Sequence, residues 1–337
     1  MRRWTLRILA AATSLFLCLS IAEGVIRLGV GRSRAPAPTA VRMYVDPPGS
    51  RMYQPDARLG YTLVPDQHIA VTSDQLGRFV STTTAAGHRV TSSPDASHTH
   101  RRPQIWIFGC SFTYGWGVND EDSYPWKLQE LMPDYEIVNF GTGGYSTLQS
   151  LIQFEGEIQR AEIPDTAVLA YLNFHEQRNT MSPVRSKSLG FMWRNWGEAD
   201  QPYAVMNSDG RLQRRKSEPY QPFLPFVRYS ALANFLDWQV VAYLEDEAKK
   251  SDRRKDVTRE LVRQFIQVGR DHGVTVLIAD LNAMPSDIGS VATAEGARSR
   301  HTGVPYYQPG MTLPDDVHPT AKAHGLIAER MRKFLEP

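Results

Sequence analysis

Cysteine is almost missing from this chain. Its 337 residues include two, Cys18 in an apolar leader and Cys110 at the end of an apolar run. Surroundings so different give no reason to expect them to pair. A disulfide-stapled scaffold is therefore excluded, and stability has to come from a core. A surplus of charge is missing too. There are 38 Lys and Arg against 36 Asp and Glu, a formal charge of +2. That balance offers no field for holding nucleic acid, and Arg-rich runs such as 211–216 and 253–255 read as solvated surface. Histidines such as His98, His100 and His301 lie scattered, without metal-ligand spacing, so no metal site is expected. No internal repeat is present, which removes solenoids and propellers.

What is present begins with the N-terminus. Arg2, Arg3 and Arg7 precede an uncharged stretch from Ile8 to Ala22, a basic region followed by an apolar one. Two readings of residues 1–30 stay open. Small residues in Ser20-Ile21-Ala22 suit cleavage before Glu23, which would make the segment a signal peptide. Alternatively, Trp4 to Ala22 is long enough to cross a hydrocarbon core of about 30 Å as an uncleaved anchor. Arginines on the N-terminal side keep that end in the cytoplasm, so both readings put the rest of the chain outside it. Leu17 before Cys18 is too large for a lipoprotein cysteine.

Residues 31–103 read as a linker and a small β extension, with β-type runs at Tyr61–Val64 and Phe79–Thr82 and a second polar linker from Pro94 to Pro103. From 104 to 337 the pattern changes. Continuous apolar runs at Gln104–Phe108, Tyr135–Phe140, Thr166–Leu172 and Val274–Ala279 are those of strands buried on both faces. Between and after them lie helical periods at Tyr124–Leu131, Leu148–Ile158, Ala231–Lys249, Val257–His272 and Thr320–Phe334. Strands alternating with helices predict an α/β fold, a three-layer α/β/α sandwich around a mostly parallel sheet. A segment at about 181–228, without a strong period and containing Trp193, Trp196 and Tyr203, is expected to be an insertion.

Functional groups collect at the carboxyl ends of strands in such sheets. Three elements fall there: Ser111 after the first strand, the Gly143-Gly144 turn after the second, and the Asn173–Asn179 loop after the third. Asp315 and His318 come just before the last helix. A serine on a strand-to-helix turn, with a His and an Asp, supplies nucleophile, base and orienting carboxylate for acyl chemistry.

In this order the motifs resemble the SGNH (GDSL-like) hydrolase superfamily, in particular its membrane-anchored bacterial subgroup. The opening block appears as Gly109-Cys110-Ser111 with a later Gly115, and the second as Asn139-Phe140-Gly141-Thr142-Gly143-Gly144. The last block, Asp-x-x-His, matches Asp315 to His318. The resemblance implies an SGNH/flavodoxin-like sandwich with catalytic Ser111, Asp315 and His318 and no metal or organic cofactor. It also implies an oxyanion hole from the N–H groups of Ser111 and Gly144 plus a side chain. Cys110 stands where the family has Asp, which is neither nucleophile nor base. The third block is altered to Leu172-Asn173-Phe174-His175, which leaves Asn173 and His175 both open as the side-chain donor. An extracytoplasmic esterase acting on small acyl esters, acetyl ones on carbohydrate among them, is the expected activity. An O-acyltransferase of exopolysaccharide assembly and a catalytically silent carbohydrate-binding relative are the alternatives.

Overall fold

A computed structural model of the protein describes residues 2–29, 43–73, 77–93, 102–160, 162–196, 200–314 and 316–336. The linker readings at 31–42 and 94–101, and Asp315, lie outside the described residues.

The chain opens with α1 (Arg2–Gly29), of which Trp4–Gly29 has a mean hydropathy of 1.9 over its most apolar window. That is long and apolar enough to cross a membrane, or to serve as a signal sequence. Five short strands come next: β1 (Met43–Asp46), β2 (Tyr53–Asp56), β3 (Gly60–Leu63), β4 (His68–Ser73) and β5 (Gly77–Thr82). They form an antiparallel sheet in the order β1-β4-β5 and a β2-β3 hairpin. This lead-in packs onto the α/β domain: Tyr53, Tyr61, Leu63, Val71 and Phe79 share one buried cluster with Tyr114 and Tyr145.

The α/β domain itself alternates as β6 (Gln104–Phe108), α2 (Ser111–Tyr114), α3 (Tyr124–Leu131), β7 (Glu136–Asn139), α4 (Thr147–Glu157), β8 (Thr166–Tyr171) and α5 (His175–Asn179). Next come α6 (Pro183–Trp196), a hairpin of β9 (Pro202–Met206) and β10 (Leu212–Lys216), α7 (Ala231–Lys249) and α8 (Arg253–Asp271). The chain closes with β11 (Thr275–Asp280), α9 (Ile288–Ala294), β12 (Arg298–His301) and α10 (Ala321–Leu335). Five strands pair in parallel in the order β12-β11-β8-β6-β7. Alternate residues of β6 and β8 point to opposite faces, as the pleat requires. Trp106, Phe108, Leu169 and Tyr171 meet apolar residues of α4 and α8 on one face. Ile105, Ile107, Val168 and Ala170 meet α3 and α10 on the other. This is the expected three-layer α/β/α sandwich with a parallel sheet.

In this order β7 lies on one side of β6, with β8, β11 and β12 on the other. The strand order reverses between β6 and β8, and the crevice above such a switch point is where doubly wound sheets bind ligands. Two features were not read from the sequence. The fifth strand, β12, is an edge strand of Arg298-Ser299-Arg300-His301, too polar to read as buried. The 181–228 segment is largely ordered as α6 and the β9-β10 hairpin.

Candidate active site

Ser111 sits where the chain leaves β6. Cys110 is extended (φ −100°, ψ −152°), Ser111 starts the single turn of α2, and Gly115 ends it in the left-handed region at φ 87°. The turn is seated closely. A Cβ on Gly141 would lie 2.3 Å from the Tyr114 nitrogen, so only glycine lets the strand after β7 pass under α2. Asn139 joins the two loops, its amide donating to the Thr113 carbonyl (3.1 Å) while its Oδ1 accepts from Gly141 N–H (2.9 Å). Cys110 makes no side-chain capping bond and is a buried free thiol.

His318 comes from the other end of the chain. Its Nε2 is 2.7 Å from Ser111 Oγ, and its Nδ1 is bonded to Oδ1 of Asp316. A carboxylate on Nδ1 fixes the proton there, so Nε2 is the acceptor and Ser111 the donor. Asp316 Oδ1 also accepts the His318 N–H at 2.8 Å. Burial raises the Asp316 carboxyl, but the bond from His318 and its charge outweigh that and leave it below the ordinary carboxylate range. The sequence reading placed this carboxylate one residue earlier, at Asp315. Asp315 lies outside the described residues; among those described, the carboxylate that meets the imidazole is that of Asp316. An Asp two residues before the His can hold the His backbone N–H and ring together through one oxygen, a local closure that Asp-x-x-His does not describe.

Among the described residues, the N–H groups of Ser111 and Gly144 donate to no backbone carbonyl. Gly144 has φ 81° and terminates the turn after β7. Its N–H shares a peptide plane with the Gly143 carbonyl, and the Tyr61 hydroxyl donates to that carbonyl at 2.6 Å. Since N–H and C=O point in opposite directions across a trans peptide, Tyr61 fixes the direction of the Gly144 N–H. Arg185 adds a bond to the Gly144 carbonyl at 2.8 Å.

The two side-chain donors left open by the sequence differ in surroundings. Asn173 has an exposed side chain at the end of β8, and its backbone N–H is held by Asn282 Oδ1 at 2.9 Å. His175 is fully buried, edge-on to Tyr171 and Phe174, with Nδ1 3.4 Å from Thr147 Oγ1. Burial, reinforced by Arg178 and Arg185, keeps its pKa well below the usual imidazole value, so it is neutral.

Four contributors were not apparent from the sequence. Trp116 stands 6.2 Å from the His318 ring and is backed by Phe79 of the lead-in at 5.5 Å. Tyr61 and Arg185 act on the Gly143-Gly144 turn. Arg89, 1% exposed, spends five N–H bonds on Asp120 and on the carbonyls of Tyr114, Gly115, Val80 and Val118, tying the lead-in to the loop after α2. Of the four, only Arg89 leaves a local trace, a lone arginine just beyond a β-type run.

No protein-family model matches this chain, and no curated protein does. Solved structures similar to it include TesA, at 16% identity and a TM-score of 0.41, covering 69% of this chain and 98% of TesA. The psychrotrophic esterase EstA from a Pseudoalteromonas species, crystallised with monoethylphosphonate, shares 11% identity with a TM-score of 0.40, covering 69% of this chain and 96% of its own. AlinE4, an esterase of the SGNH-hydrolase family, shares 15% identity with a TM-score of 0.36, covering 71% of this chain and all of its own (100%).

Proposed function

We propose that this chain is a serine esterase of the SGNH type, held in a membrane by α1 with its α/β domain outside the cytoplasm. Its substrates are small acyl esters, acetyl ones on carbohydrate above all. The observation that carries this reading is the relay from Ser111 Oγ through His318 (2.7 Å) to Asp316 at the switch point of the sheet. Ser111 Oγ attacks the ester carbonyl as its proton passes to His318 Nε2, and the imidazolium is balanced by Asp316. The carbonyl oxygen takes the negative charge, facing the N–H groups of Ser111 and Gly144. Asn173 is the side-chain donor in this reading, because its amide is exposed at the end of β8 whereas His175 is enclosed. Collapse returns the proton from His318 to the leaving alkoxide. Water then repeats the sequence on the acyl-enzyme, giving the acid and free Ser111.

Crowding supports a small acyl group. Ser111 is 4% exposed, and the Phe112 ring lies 5.6 Å from that of His318. Half-buried Trp116 offers a flat apolar face of the kind a sugar ring stacks on.

A fluorophosphonate probe tests the reading directly. The activated Ser111 oxygen displaces fluoride from phosphorus and stays labelled, and peptide mapping is expected to find the label on Ser111. An unlabelled native chain would leave only a catalytically silent binding protein.

Tyr61→Phe removes one hydroxyl and nothing else. Freed from it, the Gly143-Gly144 peptide can rotate, and kcat is expected to fall roughly ten- to a hundredfold with KM little changed. Steady-state kinetics beside a melting curve checks this. An unchanged kcat would mean that Arg185 alone holds the turn.

A further inference from the structure

The end of α1 is bonded to the start of α7. The Glu23 carboxylate accepts from Ser230 Oγ (2.8 Å), Ala231 N–H (2.9 Å) and Leu232 N–H (2.8 Å), so it caps the first turn of α7. Arg27 bonds back to Glu23 (2.6 Å) and donates to the Tyr229 carbonyl (2.8 Å). The stretch from Trp4 to Ala22 rises about 28 Å as a helix, close to the thickness of a hydrocarbon core. Glu23 therefore falls at the surface of the bilayer that α1 crosses, and the residues clamped to it fall there too.

Those residues have an unusual surface. Outside α1, five of the eleven large apolar side chains exposed among the described residues lie between 223 and 243. They are Phe223, Phe226 (72% exposed), Tyr229 (79% exposed), Leu236 and Tyr243. Leu236 and Tyr243, seven residues apart in α7, fall on one helical face. Phe226 also adopts φ 62°, a left-handed conformation that is strained for a bulky residue, while gaining little packing in return. The segment is held from beneath. Asp237 accepts from the N–H groups of Phe223 (2.7 Å) and Leu224 (3.2 Å), from Tyr220 (2.5 Å) and from Lys187 (2.6 Å).

We infer that residues 223–236, with the exposed face of α7, form a second membrane contact that rests on the lipid bilayer beside the anchor. Aromatic side chains with one apolar and one wet end suit the headgroup level, and Arg27, 56% exposed at its side chain, faces anionic headgroups there. α7 packs on α6, whose first turn places Arg185 on the Gly144 carbonyl. The contact therefore fixes the orientation of the active site to the membrane plane, suited to esters carried at that surface. The inference rests on the anchor reading of α1.

Site-directed fluorescence on the full chain separates the two. In a Cys18→Ser background, with Cys110 buried, single cysteines at Leu15, Phe226, Leu236 and Asp209 carry an environment-sensitive dye. The proteins are reconstituted into phosphatidylcholine–phosphatidylglycerol vesicles containing nitroxide-labelled lipid. Asp209, exposed in the turn of the β9-β10 hairpin, is the reference. Leu15, Phe226 and Leu236 labels are expected to be quenched at least twofold more than the Asp209 label. If Leu15 is quenched while Phe226 and Leu236 match Asp209, the second contact is refuted and the anchor stands. An unquenched Leu15 overturns the anchor and the inference with it. Blue-shifted Phe226 emission without lipid quenching would show a second copy of the chain covering the patch, which also refutes it.

Discussion

Ser111→Ala is expected to lower p-nitrophenyl acetate hydrolysis by about 10⁴-fold or more, with the far-ultraviolet circular dichroism and melting curve of the native chain retained. The hydroxyl is the only group removed, and the Nε2 that it met at 2.7 Å is left facing the substrate without a nucleophile between them. Members of such a relay act as a unit, so His318→Ala is expected to be about as damaging, and the double variant little worse than either. Residual activity in all three would come from the backbone donors and binding alone. A purified Ser111→Ala protein that hydrolyses the ester at the native rate removes the nucleophile from this account.

The sequence announced the sheet through its most buried strands. Those at 104–108 and 166–171 are covered on both faces, so they read as unbroken apolar runs. β12 was hidden because it is an edge, where Arg298 and Arg300 face outward and half of the apolar signal is gone. α6 was hidden for a different reason. Its buried positions include Arg185 and Lys187, paired with Gln201 and Asp237, so burial there does not register as hydrophobic period. The same blindness made 253–255 read as surface, although Arg254 is buried against Glu245. Polar groups buried in pairs satisfy each other at a distance in sequence, which no local pattern records.

The candidate site was legible to the extent that it is local. Ser111 is marked by its strand, its turn and the glycines around it, and His318 by the short run before the last helix. Tyr61 was not, since it reaches the Gly143 carbonyl from 82 residues upstream. The lead-in sequence suggests an appendage, and its function emerges only where its hydroxyl and the Arg89 guanidinium meet the loops around Ser111.

The carboxylate of the relay is where a one-residue choice carries the largest remaining effect. Asp316→Asn keeps the shape and removes the charge, and its amide can present a donor to Nδ1. That favours the tautomer with the proton on Nε2, which cannot accept from Ser111. In serine triads this change costs about 10⁴ in kcat, and a loss approaching that size is expected here, with Ser111 labelling by the fluorophosphonate slowed in parallel. Asp315→Asn is expected to change kcat by less than about threefold, since one proton on Nδ1 serves one carboxylate and Asp316 already receives it. Because its contacts hold Asp316 below the ordinary carboxylate range, the charge persists as pH falls through the unfolded value near 4. Its contribution to stability is therefore complete above that value and lost as pH falls towards the lower, folded one, so the melting advantage of the native chain over Asp316→Asn should be full at pH 7 and begin to shrink at about pH 4. Kinetics of the two single variants, with melting curves at pH 4 and pH 7, decide the register. If Asp315→Asn proves the crippling change and Asp316→Asn the mild one, the Asp-x-x-His reading of the sequence is restored and the His318–Asp316 bond has no part in the chemistry.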